Sequence, residues 1–187
     1  MKRFLMMSVA VCAVLAWPWS IASGACTPAG QTNDEKAILQ TLEAAIEGHN
    51  SENNDAIRKH VKPDLHTKRT DHQATGGTKT EETKSGDDYG QHNLADWKRF
   101  KDHKVTNCRV SNITVTGATA GLDVQYDFVF SKDNNPPDND PSGSTVPMKG
   151  KLKYKKEGNA WLISDIDVWN TNQPQALSAP SKLKVLP

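Results

Sequence analysis

Residues 148–168 read Met148-Lys149-Gly150-Lys151-Leu152-Lys153-Tyr154-Lys155-Lys156-Glu157-Gly158-Asn159-Ala160-Trp161-Leu162-Ile163-Ser164-Asp165-Ile166-Asp167-Val168: two period-two strands around a turn. A three-residue loop at Glu157-Gly158-Asn159 sets Lys156 opposite Ala160. On one face this register pairs Tyr154 with Leu162, Gly150 with Ile166 and Met148 with Val168. On the other it pairs Lys155 with Trp161, Lys153 with Ile163, Lys151 with Asp165 and Lys149 with Asp167. Apolar pairs on one side and lysine–aspartate pairs on the other mark a sheet with one buried and one solvated face.

Working back from that hairpin, the period-two pattern begins near Val105, giving four strands at about 105–115, 122–131, 145–156 and 160–170. Matching Val115 with Leu122 and Ile113 with Val124 turns Tyr126, Phe128 and Phe130 inward, and turns Asp123, Gln125, Asp127 and Cys108 outward. Upstream the period is helical. Thr32 and Glu35 form a capping box, and Ile38, Leu42, Ala45 and Ile46 share one face of a helix over about 33–48. A shorter helix over about 53–61 stops before Pro63. A third over about 88–103 offers Leu94, Trp97 and Phe100 to the core. Residues 66–86 carry almost no large apolar side chain and read as a mobile flap, with a short strand at about 65–68. Residues 133–144 read as an exposed loop, and 173–187 as a loosely held tail.

Helices followed by a four-stranded meander that closes on Ala160-Trp161-Leu162-Ile163-Ser164-Asp165-Ile166-Asp167-Val168 resemble the NTF2-like (cystatin-like α+β cone) superfamily. The resemblance implies an α+β domain over residues 32–172, in which helices pack on a curved antiparallel sheet of about four strands that wraps the first helix around a pocket. It also implies that residues 66–86 lie at the pocket mouth. The fold serves isomerases, dehydratases, polyketide cyclases, transport factors and exported non-enzymatic domains, so it does not fix a function. Enzymes of the family hold an Asp with a His or Tyr inside the cone, and the registers above place no such pair there.

Tyr126, Phe128, Tyr154, Trp97 and Met148 are the ligand-pocket candidates, and the two tyrosine hydroxyls need partners if buried. Asp165 and Asp167 face lysines on the outer side, and the alternating lysines read as a solvated ridge that also discourages edge association. His60, His66 and His72, with Asp64 and Asp71 nearby, recur at a six-residue spacing that suits neither a helix face nor a tight metal loop; they read as solvated. His92 and His103 read as surface residues flanking the third helix, and His49 as a cation at a helix C-terminus, with a role in the pocket as the alternative. No metal or cofactor is expected.

Residues 1–25 have the layout of an export signal, with Lys2 and Arg3, an apolar run over 4–17 and Ala22-Ser23-Gly24-Ala25 before Cys26. Removing them leaves a 26–31 linker, one domain, and 21 basic against 22 acidic residues. So even a balance excludes a nucleic-acid partner held by bulk charge. Cys26 and Cys108 leave three readings open: a disulfide, lipidation of Cys26 with attachment to a membrane, or two separate thiols. A homodimer through the sheet is a further expectation. The reading as a whole is a periplasmic or secreted, non-catalytic domain that binds a small molecule or protein partner through its cone. Alternatives are a cofactor-free isomerase or dehydratase acting in the cone, and a cell-envelope accessory subunit.

Overall fold

The computed structural model describes residues 26, 32–73, 76–133 and 144–171. The stretch expected to be an export signal, most of the expected 26–31 linker, the centre of the expected 133–144 loop and the expected 173–187 tail lie outside the described residues. Three helices, α1 (Asn33–Asn50), α2 (Asn54–Arg58) and α3 (Gly86–Arg99), lie on one six-stranded sheet. Its strands are β1 (Val61–His72), β2 (Thr78–Thr83), β3 (Phe100–Thr116), β4 (Thr119–Asp133), β5 (Ser144–Glu157) and β6 (Ala160–Asn170), in the order β2-β1-β6-β5-β4-β3. All neighbours are antiparallel except β1 and β6.

The capping box opens α1: Glu35 N donates to Thr32 Oγ1 at 3.2 Å, and Thr32 N donates to Glu35 Oε2 at 2.7 Å. Ile38 and Leu42 then bury against the sheet. Buried Thr41 donates its hydroxyl to the carbonyls of Ala37 and Trp161, both at 3.0 Å, which ties α1 to β6. At the other end Asn50 acts as a piece of backbone for edge strand β3. Its Oδ1 accepts from Val105 N at 2.7 Å and its Nδ2 donates to Val105 O at 3.0 Å. These two ties fix the axis of α1 across the concave face and set His49 over β3.

Residues 66–86 are not a mobile flap. They supply β1, the β1–β2 hairpin and the start of α3, so the sheet has six strands where the sequence indicated four. Paired backbone groups need no apolar side chains. Strand β1 is satisfied on both edges, by β2 and by β6, and only Val61, Leu65 and Thr67 are buried along it. Threonine pairs Thr67–Thr83 and Thr70–Thr80 face each other across the hairpin.

The closing hairpin turns on two residues, not three. Gly158 takes φ 58°, and Glu157 pairs with Ala160, Lys156 with Trp161 and Tyr154 with Ile163. Trp161 therefore points into the core, where the three-residue loop had put it outside, and Leu162 rather than Trp161 lies opposite Lys155. The register then shifts between Lys153 and Tyr154, with Ser164 the extra residue on β6, and this bulge restores the alternation. Beyond it Lys153 faces Asp165 and Lys151 faces Asp167, two positions from the expected pairs, with Lys153 Nζ 3.9 Å from Asp165 Oδ1. Lysine–aspartate pairing on the outer face survives because two residues is one full strand period. Lys156 leaves the ridge and binds Asp34 at 2.7 Å.

Two of the register shifts along β3 fall at asparagines. Asn107 and Asn112 adopt left-handed φ of 51° and 54°, and the register with β4 shifts at each. Asparagine tolerates this conformation, and each side chain is held by an aspartate of β4: Asn107 Nδ2 donates to Asp127 Oδ2 and Asn112 Nδ2 to Asp123 Oδ2, both at 2.7 Å. Inward positions become His103, Val105, Cys108, Val110, Ile113 and Val115. Val110, not Ile113, faces Val124, and Ala120, not Leu122, faces Val115. Cys108 turns inward, where it is disulfide-bonded to Cys26 with the two Cα atoms 4.9 Å apart.

Candidate functional site

A cavity of about 160 Å³ lies between α1, α3 and the concave face of the sheet. Its floor is apolar: Leu42, Ala45 and Ile46 from α1 face Val124, Leu152, Ile166 and Val168 from the sheet. Polar residues form the rim, with buried Thr67 and partly exposed Lys68 and Arg69 from β1, Glu81 and Thr83 from β2, and His92 and Asp96 from α3. The segment expected at the pocket mouth thus contributes to the rim as a hairpin.

Arg69 organises that rim. Its guanidinium reaches Asp71 at 3.1 Å and Asp96 at 3.9 Å, and stands 5.5 Å from the centroid of Phe128. Asp71, expected to be solvated, is therefore half-buried in this array. His92 Nε2 lies 3.2 Å from Glu81 and 3.8 Å from Asp96, which ties α3 to the hairpin. A hydrogen bond from Lys79 holds the Glu81 carboxyl below its usual range.

His49 lines the cavity at the end of α1. It sits edge-on to Trp97 and to Phe128 and stacks on His103, each at 5.8 Å between centroids. Burial first, then the charges of His103 and Arg69, hold its pKa at about 4, so the imidazole is neutral near pH 7. Its expected role as an exposed helix-terminal cation is corrected accordingly. His103, expected at the surface, is 1% exposed, packs 4.6 Å from Phe128, and is likewise pushed down by burial. Tyr126 and Tyr89 line the same cavity, and burial raises both phenol pKa values.

Among the sequence candidates, Tyr126 and Phe128 line the cavity, whereas Trp97 stands behind His49 without lining it. Tyr154 and Met148 are buried core residues outside the lining, and burial raises the Tyr154 pKa. Leu94 is exposed, and the inward stripe of α3 is Tyr89, Asn93 and Trp97. Arg69 and Asp96 were missed, and His49 entered only as the second reading of a helix-end residue. One signal for His49 was present: it continues the stripe Ile38, Leu42, Ala45, Ile46 by one further turn. Among the described residues no three His, Cys, Asp or Glu side chains gather into a metal-binding group.

The depressed His49 pKa fixes the sign of an acid effect. The unfolded chain takes up this proton near the ordinary value of 6.5, the folded chain only at about 4. Stability is therefore full above about pH 6.5 and falls as pH drops toward about 4, by up to about 3 kcal/mol. His103 and His60 shift the same way and add to the slope. Urea melts between pH 7 and pH 5 should show a clearly shallower slope in His49→Leu than in the native chain. Equal slopes would mean that His49 protonates freely in the fold.

No family model and no curated protein sequence matches the chain. Solved structures do. A ketosteroid isomerase-like protein from Erwinia carotovora atroseptica superposes with a TM-score of 0.58 at 8% identity, over 76% of this chain and 100% of its own. A protein of unknown function with a cystatin-like fold from Nostoc punctiforme gives 0.55 at 13% identity, over 79% of this chain and 98% of its own. An NTF2-like protein of unknown function from Pseudomonas putida gives 0.53 at 14% identity, over 74% and 87%. At such identities the likeness speaks to architecture: the chain has the NTF2-like, cystatin-like α+β cone fold.

Proposed function

We propose that the cone binds a small, mostly apolar molecule of single-ring size, in a domain exported by residues 1–25. The observation that carries this reading is the cavity. Its volume of about 160 Å³ is close to the roughly 150 Å³ of an engineered apolar cavity that takes up benzene, and its floor is aliphatic with polar groups at one side. The Cys26–Cys108 bond suits an oxidising compartment. Methyl NMR during titration with toluene tests the site. Shifts are expected at Leu42, Ile46, Val124 and Ile166 but not at outer-face Leu162, and they should vanish in Ala45→Phe, which fills the cavity. Shifts that persist unchanged in the filled variant, or no shifts at all, would exclude a cone site.

A second reading, proton transfer within the cone, is favoured by the neutral His49 imidazole sharing a cavity with Tyr126 and with the Asp96 carboxylate beside Arg69. A structural neighbour named ketosteroid isomerase-like shares the fold. If deuterium entered the α-positions of cyclohexanone no faster with the protein than with His49→Leu, this reading would be excluded.

A further inference from the structure

We infer that the cone is built for a small neutral phenol, one aromatic ring with a hydroxyl, hydrogen-bonded by His49. The inference rests on the cone being a ligand site and adds the chemical class of the ligand. It starts from polar atoms left without partners. His49 Nδ1, Asn93 Nδ2, Trp97 Nε1 and both ring nitrogens of His103 are buried with no hydrogen bond in the protein. Each such atom costs about 1–3 kcal/mol, and folded proteins keep few of them unless water or a ligand supplies the bond. Two of these residues, His49 and Asn93, line the cavity.

The walls around His49 are aromatic. Trp97 and Phe128 stand edge-on to its ring at interplanar angles of 77° and 72°, and Tyr126 joins Phe128 in the lining. A flat ring finds edge and face contacts there, and the volume admits one ring and few substituents. Charge then narrows the choice. The groups that face this space are His49 from α1, Lys68 and Arg69 from β1, Glu81 from β2, Tyr89, His92 and Asp96 from α3, Tyr126 from β4, and His103 from β3 behind His49. Lys68 and Arg69 are balanced by Glu81 and Asp96, Asp71 adds a further carboxylate on Arg69, and His49 is neutral, so the lining carries no net positive charge to offset the desolvation of a carboxylate. A hydrocarbon would leave the imidazole unpaired. A hydroxyl donates one bond and accepts others, and a neutral imidazole offers one acceptor and one donor.

The test compares phenol, toluene and benzoate by ligand-observed NMR at pH 7, against the native chain, His49→Leu and His49→Gln. Phenol should bind about tenfold more tightly than toluene, and benzoate more weakly than phenol. In His49→Leu the phenol preference should disappear while toluene binding persists, and His49→Gln, which keeps a donor and an acceptor, should restore part of it. Toluene binding as tightly as phenol, benzoate binding best, or a preference unchanged in His49→Leu would overturn the inference and leave the cone site standing. Failure of all three probes would overturn both.

Discussion

Replacing Trp161 by alanine is expected to destabilise the fold by about 3–5 kcal/mol, in the range for truncating a buried indole. Trp161 is 2% exposed, and its indole Nε1 donates to Asp34 Oδ1 at 3.0 Å. The Lys156 ammonium lies 5.4 Å from its ring, and its carbonyl accepts from Thr41. The substitution removes core volume and also strips a partner from Asp34, whose carboxyl is held low by its hydrogen bonds from Lys156 and Trp161. The neighbouring Leu162→Ala on the outer face should cost about 1 kcal/mol or less. Urea melts of both variants decide the register. The opposite order of effects would restore the three-residue loop, which puts Leu162 inside and Trp161 out.

The second large effect is at the disulfide. Cys26 and Cys108 are 82 residues apart and both are buried, so the bond closes a long loop and anchors the chain entering α1 beneath β3. Losing a native bridge of this span should cost about 2–5 kcal/mol. Native chain with and without reductant, and Cys108→Ala, should show that loss by urea denaturation. Stability unaffected by reductant would mean the thiols are not joined. With residues 1–25 removed on export, as proposed, the intact mass is expected to correspond to a chain beginning at Cys26 and short of two hydrogens. A diacylglycerol increment would place a lipid on Cys26 instead.

The order of the three helices and of the last four strands could be read because it rests on local periodicity: the capped first helix, the apolar stripe through Ile38 and Leu42, the alternating lysines and aspartates. Register could not, because it depends on turn lengths and on single-residue bulges. The turn at Gly158 uses two residues, and Ser164, Asn107 and Asn112 are bulges that reset the alternation. The bulges of β3 leave a trace, since its inward residues skip by three over each asparagine, from Val105 to Cys108 and from Val110 to Ile113. The β1–β2 hairpin was hidden for another reason. Its order comes from backbone pairing with β6, a strand about a hundred residues away, and no local composition reports that. The site followed the same divide. Tyr126 and Phe128 were visible as inward residues of a strand, whereas Arg69 and Asp96 meet only once β1 and α3 are placed, and His49 was read first as a helix-end cation.

The claim that the cone is a ligand site for a single aromatic ring is tested most directly by a crystal structure of the protein soaked with 4-bromophenol, the bromine located by its anomalous scattering. The expected result is one ring between Ala45 and Phe128, with its hydroxyl within hydrogen-bonding distance of a His49 nitrogen. Bromine found only on the outer surface, or a cavity closed by its own side chains, would contradict it.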